Sequence, residues 1–230
     1  MIRFDDVHKG FGGRQVLDGV SFSVSDGEIL AIVGPSGTGK SVTLKHIVGL
    51  LSPDSGTVTV KEGARIGYLF QSGALLAWLT VRENVSLPLR ETTRLGSDEI
   101  DRLTDEALKA VGLEDSADKY PAEISGGMVK RAGLARAMVR NSDVILYDEP
   151  TSGLDPVTAR TIYRLIKRLN VERKLTSLVV THDLAGACAF ADRILMLLNG
   201  RVVLVAPPTE FMASDIPAVR EFVSASKGEI

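Results

Sequence analysis

A glycine-rich segment early in the chain combines residue types that are suited to binding phosphate. It fits the pattern G-x-x-x-x-G-K-[ST] and runs Gly34-Pro35-Ser36-Gly37-Thr38-Gly39-Lys40-Ser41. Glycines let backbone N–H groups approach phosphate oxygens closely, and a following helix adds the positive end of its dipole. Lys40 is expected to reach the β- and γ-phosphates, and the Ser41 hydroxyl is expected to bind Mg²⁺. The segment therefore predicts a site for a nucleoside triphosphate.

The flanking sequence places this segment where a phosphate loop has to lie. An apolar run from Ile29 to Val33 precedes it and predicts a strand that is buried on both faces. The residues from Thr43 to Leu51 follow it and predict a helix. This strand, loop and helix order separates the segment from a chance glycine-rich turn.

Two adjacent carboxylates end a second apolar strand, Val144 to Tyr147. Asp148 is suited to the Mg²⁺ shell. Glu149, on the other side of an extended backbone, is suited to orient or deprotonate an attacking water. Solvated acids at a strand end are common, so it is the phosphate loop that favours the catalytic interpretation.

One histidine stands at the end of a further apolar strand. His182 follows the run from Ser177 to Thr181, and strand ends line the crevice of such sheets. We expect His182 to hydrogen-bond the γ-phosphate and to help place Glu149. His8 and His46 lack this context and are assigned no role.

A second pair of glycines opens a helix predicted from about Ser125 to Arg140. The segment Ser125-Gly126-Gly127-Met128 at a helix N-terminus forms a second anion site, although a simple helix cap is the alternative. Two phosphate sites in one chain are explained if one nucleotide is clasped between two copies of the protein.

Composition excludes several classes of protein. The 230 residues carry a formal net charge of -2, so no basic surface indicates nucleic-acid binding. The single cysteine, Cys188, is interpreted as a small buried hydrophobe. The first six residues lack the apolar stretch of a signal peptide, and no apolar run approaches the ~20 residues that span a bilayer. We expect a soluble or peripheral protein whose membrane role requires a separate spanning partner.

The order of predicted elements indicates an α/β fold. Strand patterns fill the start, a helical stretch covers about 81–139, and strands then alternate with helices again. Ser97 is expected to cap a helix within that stretch. Asn199-Gly200 predicts a type I′ turn between two strands near the C-terminus.

Together these motifs resemble the ATP-binding cassette (ABC) ATPase family over nearly the whole chain. Their order is the phosphate loop, Gln71, Ser125-Gly126-Gly127, Asp148-Glu149, Ser152-Gly153-Leu154-Asp155 and His182. The resemblance implies one domain over 1–230, with a P-loop NTPase core of mainly parallel sheet. That core and an antiparallel β lobe would occupy about 1–80 and 140–230, and a helical subdomain about 81–139.

The resemblance also implies a head-to-tail dimer with two ATP molecules at its interface. Each ATP would meet one subunit's phosphate loop, extended to Val42, and the other subunit's signature, Ser125 to Met128. Phe11 matches the aromatic residue that stacks on adenine, and Val16 would pack nearby. The remaining matches are Gln71, which senses Mg²⁺ and the γ-phosphate, Asp155, which communicates across the dimer, and the catalytic Lys40, Glu149 and His182.

A narrower resemblance is to the Mla-type ATPases of the phospholipid or toluene-tolerance branch, which is associated with MCE proteins. It implies a subunit on the cytoplasmic face of the inner (plasma) membrane, held there by a transmembrane permease, with an MCE protein and a small accessory subunit as further partners. The segment between Val60 and Ile66 is shorter than is usual in the family. The residues that carry the resemblance are Phe70-Gln71-Ser72-Gly73-Ala74-Leu75, Pro88-Leu89-Arg90-Glu91, Val219-Arg220-Glu221-Phe222 and a signature that ends in Met128 where many members have glutamine.

Other functions fit parts of the pattern. An ABC ATPase that serves another solute, such as an amino acid or an ion, would carry the same motifs. Soluble ABC ATPases of DNA repair or translation usually carry two cassettes or a long coiled-coil insertion, and this chain has neither. A P-loop kinase would not need the second glycine site, and a GTPase would need an Asn-Lys-x-Asp element, which the sequence lacks.

Apolar residues after Gln71 allow two interpretations. They are suited to seating a permease helix, and they are equally suited to a place in the core. The residues are Leu75, Leu76, Trp78 and Leu79.

Overall fold

The computed structural model describes residues 1–227, which divide into two compact units. The terminal unit holds Met1–Ala64 and the chain from Thr176 onward, and the central unit holds Arg65–Leu175. In chain order the strands are β1 (Ile2–Phe11), β2 (Arg14–Val24), β3 (Ile29–Val33), β4 (Ser55–Val60), β5 (Ile66–Leu69), β6 (Val144–Asp148), β7 (Thr176–Val180), β8 (Arg193–Leu198) and β9 (Arg201–Ala206). The helices are α1 (Lys40–Ile47), α2 (Val81–Thr92), α3 (Ser97–Val111), α4 (Gly126–Met138), α5 (Pro156–Arg173), α6 (Leu184–Phe190), α7 (Pro208–Met212) and α8 (Pro217–Lys227).

The terminal unit contains an antiparallel sheet in the order β2-β1-β4. Polar and apolar residues alternate at the start of β1, so Ile2 and Phe4 share one buried face. Phe4 stacks on Phe22 of β2 with ring centroids 4.5 Å apart, an aromatic cross-strand pair of the kind that stabilises sheets. The sheet confirms the predicted antiparallel lobe.

The same unit carries the strands that support the phosphate loop. β3 lies between β7 and β8 and runs parallel to both, while β9 is antiparallel to β8. Every residue of β3 is fully buried, which explains an apolar run without polar alternation. Asn199 and Gly200 join β8 to β9 with φ angles of 50° and 76°, the two positive values that a type I′ turn requires.

The central unit brings helix α4 close to strand β5. β5 and β6 run parallel, with Ile66 opposite Val144. A Cβ atom on Gly67 of β5 would lie 2.0 Å from the carbonyl oxygen of Ala137 in α4, so this approach needs glycine. The contact fixes α4, the helix that begins at the second glycine motif.

Three local expectations were wrong. α1 runs from Lys40 to Ile47 and not from Thr43 to Leu51. Ser97 is the first residue of α3 rather than its cap, because Gly96 takes the extended N-cap conformation and the Ser97 hydroxyl lies 3.3 Å from the Asp98 carboxylate. Cys188 is half-buried rather than buried, and this partial burial raises the pKa of its thiol.

The mixed arrangement of mostly parallel strands, an antiparallel sheet and helices confirms the predicted α/β class. The boundaries of the core, lobe and helical subdomain stay a prediction. Within residues 1–227, no helix combines the length and the apolar character needed to cross a bilayer.

Candidate functional site

The phosphate loop of the terminal unit has a backbone that depends on glycine. Gly34, Gly37 and Gly39 have φ angles of 147°, 79° and 100°, which side-chain-bearing residues rarely adopt. A Cβ on Gly34 would lie 2.1 Å from the carbonyl oxygen of Leu197, and one on Gly39 would lie 2.7 Å from Leu17. The loop is therefore clamped between β2 and β8, while Pro35, Ser36 and Gly37 at its tip stay exposed.

Lys40 places its charge over this loop. Its ammonium group donates to the carbonyl oxygens of Gly34 and Pro35, each at 2.8 Å. The Thr38 hydroxyl donates to the Pro35 carbonyl at 3.0 Å and closes the turn. Because Lys40 is also the first residue of α1, the cation and the positive end of the helix lie at one place, which is the arrangement that binds an anion. Ser41 and Val42 follow in α1 and are half-buried.

Three further predicted residues lie in the terminal unit. Val16 lies against the loop, since its carbonyl oxygen would be 3.0 Å from a Cβ on Gly39. Phe11 ends β1 with 46% of its surface exposed, and the Lys9 ammonium group lies 5.5 Å from the centre of its ring. His182 is exposed directly after Thr181, whose backbone N–H donates to Ile32 of β3 at 3.1 Å.

Asp148 ends strand β6 in the central unit. It is half-buried, and one of its carboxylate oxygens accepts a hydrogen bond of 3.1 Å from the Tyr68 hydroxyl. Burial raises the pKa of Tyr68 well above its usual value, and the neighbouring charge of Asp148 adds to this shift. The phenol therefore keeps its proton at neutral pH and acts as the donor in this pair.

Glu149 does not continue the strand. Its φ angle is 50°, in the left-handed region, so the expected extended backbone at this residue was wrong. Its carbonyl oxygen accepts from the backbone N–H of Ser152 at 3.1 Å, which closes a turn. Pro150 follows and disfavours the right-handed helical region at the residue before it. Backbone strain of this kind costs about 1–3 kcal/mol and is concentrated at functional sites.

The segment after β5, from Gln71 to Ala74, is held by hydrogen bonds from two parts of the central unit. The Gln71 side-chain amide donates to the Ser152 hydroxyl at 3.2 Å, and its backbone carbonyl accepts from the Lys130 ammonium group of α4. Lys130 is 6% exposed. Burial lowers its pKa, and the charge of Glu149 opposes that shift.

Arg136, also on α4, donates to the carbonyls of Gly73 and Ala74 at 2.9 and 2.7 Å. Sequence reasoning missed Lys130, Arg136 and Tyr68. The sequence offered one signal for two of them. Lys130 and Arg136 lie among the small and apolar residues of α4, which indicates charged side chains that are partly buried and therefore paired.

The second glycine motif begins α4. Ser125 is the N-cap, and its hydroxyl accepts the Met128 N–H at 3.3 Å. Asp155 is the N-cap of α5 and accepts the N–H groups of Val157 and Thr158 at 2.9 and 3.0 Å. The Thr158 hydrogen bonds hold the pKa of Asp155 below its usual value.

The starts of these two helices pack together. A Cβ on Gly127 would lie 2.6 Å from the Thr158 methyl group, and one on Gly126 would lie 3.4 Å from Leu154. Gly126 itself is exposed, so the N-terminus of α4 lies at the surface, where an anion can approach it.

Each unit thus gathers one part of the predicted set. The terminal unit holds a glycine-clamped loop with its lysine, together with Phe11, Val16 and His182. The central unit holds the carboxylates of Asp148 and Glu149 and the amide of Gln71. It also holds the start of α4, which is formed by Ser125, Gly126, Gly127 and Met128, and the α5 N-cap Asp155.

Comparison with known protein families identifies the family to which these motifs belong. The family model described as ABC transporter matches residues 17–152. The chain belongs to the ABC transporter family. It is an ABC ATPase, an ATP-binding and ATP-hydrolysing subunit.

Three relatives show the range of this family around the chain. Protein TRIGALACTOSYLDIACYLGLYCEROL 3, chloroplastic, of Arabidopsis thaliana is 38% identical over 98% of this ABC ATPase and 74% of its own length. The intermembrane phospholipid transport system ATP-binding protein MlaF of Haemophilus influenzae is 38% identical over 95% of the chain and 87% of its own length. The methionine import ATP-binding protein MetN of Caulobacter vibrioides is 39% identical over the whole chain and 74% of its own length.

A solved structure agrees with the fold of this ABC ATPase. A dimeric ATP-binding cassette in a post-hydrolysis state, bound to ADP and Pi, superimposes with a TM-score of 0.82 and 34% sequence identity. The match covers 90% of this chain and 99% of the other.

Replacing Lys130 with Met removes the ammonium group while keeping a long side chain. We expect amide hydrogen exchange at Gly73, whose N–H donates to the Phe70 carbonyl at 2.8 Å, to become about tenfold faster, because a hydrogen bond to a charged group is worth about 1.5 kcal/mol or more. Lys109→Met on the exposed side of α3 is the matched control. Equal exchange in both variants would show that Lys130 does not hold the segment.

Proposed function

We propose that this ABC ATPase binds ATP between two copies of itself and uses hydrolysis to drive a phospholipid transporter. The single observation that supports the two-copy site is that one chain contains two helix starts whose chemistry suits an anion. One is the Lys40 loop at α1, and the other is the accessible N-terminus of α4 at Ser125. In the proposed dimer, one copy's loop and the other copy's α4 hold the same nucleotide, with Phe11 stacked on adenine and Val16 beside it.

The residues present fit a Mg²⁺ ion that arrives with the nucleotide. Ser41, Gln71 and Asp148 supply a hydroxyl, an amide and a carboxylate oxygen, the hard ligands that Mg²⁺ prefers. Within residues 1–227, no group of three or more His, Cys, Asp or Glu side chains is arranged to hold a metal ion. Mg²⁺ in such sites is commonly held by one or two carboxylates together with the phosphates of the substrate, and Asp148 supplies one carboxylate here. When bound, Mg²⁺ neutralises charge on the phosphates.

We assign the catalytic roles of Lys40, Glu149 and His182 from the charge and the position of each side chain. Lys40 moves from its loop carbonyls to the β- and γ-phosphates and balances their negative charge. Glu149, which leaves the strand at a left-handed turn, orients the attacking water and accepts its proton. His182, exposed after the buried β7 strand, donates to the γ-phosphate.

In this proposal ATP links the two copies of the protein, and its hydrolysis supplies the free energy for transport. Its phosphates attract the N-terminus of α4 from the second copy, so the closed dimer is favoured while ATP is intact. Hydrolysis and loss of phosphate remove that attraction and release the dimer. Asp155, which fixes the start of α5 beside the start of α4, transmits the change across the interface.

Replacing Glu149 with Gln tests this cycle. Phosphate release should fall by about a hundredfold or more, because the amide cannot accept the proton, while ATP binding is retained. ATP should also shift the variant from monomer to dimer in analytical ultracentrifugation. Glu172→Gln, on the exposed surface of α5, is the control and should behave as the wild type. Normal phosphate release by the Glu149 variant would refute the role of Glu149.

The central unit also offers a surface for the permease. Trp78 is 71% exposed, and Leu75, Leu76 and Leu79 are half-buried, so the segment lies at the surface rather than in the core. A groove of about 460 Å³ is lined by Ala74 and by further apolar and charged residues, among them Phe70, Leu87, Pro88, Glu91, Arg136 and Arg140. A groove lined by apolar and charged side chains suits a helix from a membrane partner, which would hold this subunit at the cytoplasmic face of the inner membrane.

The proposed cargo is phospholipid, handled with an MCE protein and a small accessory subunit. The likeness to MlaF supports it, because that protein is named for intermembrane phospholipid transport and is matched over 87% of its length. The second candidate is another solute, such as an amino acid, which the likeness to MetN favours.

Purification of the tagged protein from its native membranes separates these candidates. We expect the permease and an MCE protein to copurify, and Trp78→Glu to lose both while retaining ATP binding, because a buried carboxylate is costly at an apolar interface. Mass spectrometry identifies the copurifying chains. Recovery of a periplasmic amino-acid-binding protein instead would overturn the lipid assignment.

A further inference from the structure

Two aromatic side chains of the central unit lie next to each other at the end of β5, one from Tyr68 in the strand and one from Phe70 directly after it. Their ring centroids are 4.4 Å apart. Both rings line the groove of about 460 Å³ that Ala74 and Arg136 also line. The groove wall is therefore formed in part by a single aromatic pair.

Strand register places Asp148 on the same face as Tyr68. Tyr68 lies opposite Leu146 of β6, and Asp148 is two residues further along β6. This makes Tyr68 and Asp148 diagonal cross-strand neighbours, which a long aromatic side chain can bridge. The bridge is the 3.1 Å hydrogen bond from the Tyr68 hydroxyl to the Asp148 carboxylate.

We propose that Tyr68 is a positioning residue for Asp148. Its hydroxyl orients the Asp148 carboxylate, and its ring lines the groove, so Tyr68 couples the groove to the carboxylate that binds Mg²⁺. The inference rests on the proposed function, in which Asp148 supplies an oxygen to Mg²⁺. Side chains that hydrogen-bond a metal-binding carboxylate fix its orientation, and their loss commonly weakens metal use about tenfold. A shift of the aromatic pair by an occupant of the groove moves the hydroxyl and with it the carboxylate.

The hydroxyl is the one polar atom of the tyrosine side chain, so Tyr68→Phe removes the hydrogen bond while leaving the ring in the groove wall. The experiment measures ATP hydrolysis by the purified full-length protein at saturating ATP over a range of Mg²⁺ concentrations. We expect the half-saturating Mg²⁺ concentration to rise about tenfold. Binding of a fluorescent ATP analogue in EDTA should stay unchanged, since the hydroxyl does not serve the nucleotide directly.

The matched control is Tyr163→Phe, which removes another phenol of the central unit. Its hydroxyl lies 2.8 Å from the Thr151 hydroxyl, and the pair is buried. If general loss of a tyrosine hydroxyl weakened Mg²⁺ use, both variants would show the same shift, and the proposal would be overturned.

Asp148→Asn separates this inference from the proposed function. A changed Mg²⁺ dependence in Asp148→Asn with none in Tyr68→Phe would sink the inference alone. An unchanged dependence in Asp148→Asn would remove the metal role of Asp148 and the inference with it.

A double-mutant cycle with Phe70→Ala tests whether the groove wall acts through the hydroxyl. Phe70→Ala withdraws the ring that supports Tyr68, so we expect it to raise the half-saturating Mg²⁺ concentration in the wild-type background. In the Tyr68→Phe background it should add nothing, because the hydroxyl it acts through is already absent. Equal effects in both backgrounds would place the action of Phe70 elsewhere, for example through the adjacent Gln71, and would overturn the link between the groove and the carboxylate.

Discussion

The close approach of backbone to phosphate is the constraint on which the rest of the molecule depends. N–H groups bind phosphate oxygens strongly only where side chains leave them accessible. In the terminal unit this requires glycine at Gly34 and Gly39, because a Cβ at either position would collide with a neighbouring strand. The fully buried β3 strand then fixes the base of the loop. The apolar core therefore serves to hold a polar loop still.

A second constraint governs the central unit. An accessible helix N-terminus can bind an anion only if its helix is fixed, and α4 is fixed by the approach of Gly67 to Ala137. The same helix holds the segment after β5 through Lys130 and Arg136. The start of α4, where we propose the second phosphate site, and the segment that carries Gln71 are thus held by the same helix. In the proposed dimer, a nucleotide bound at α4 would therefore also act on the groove, which Arg136 and Ala137 of this helix help to line.

The sequence predicted the elements that obey strong local rules. The apolar run of β3, the glycine pattern of the loop and the Asn199-Gly200 turn each have a single favoured conformation, and the structure contains all three. The left-handed turn at Glu149 could not be read from the apolar run before it, since a strand pattern does not show where the strand stops. The roles of Tyr68 and Lys130 depend on strand register and on helix packing between distant parts of the chain. The residue pattern within one element does not show which distant residues pack against it.

The central claim is that each working site takes its loop from one copy and its α4 from another. Mixing two inactive variants, Lys40→Ala and Ser125→Arg, tests it most directly. A dimer with one copy of each has one intact site, so ATP hydrolysis by an equal mixture should recover to about a quarter of the wild-type rate if the copies pair at random. Activity no greater than the sum of the two separate variants would contradict the shared site.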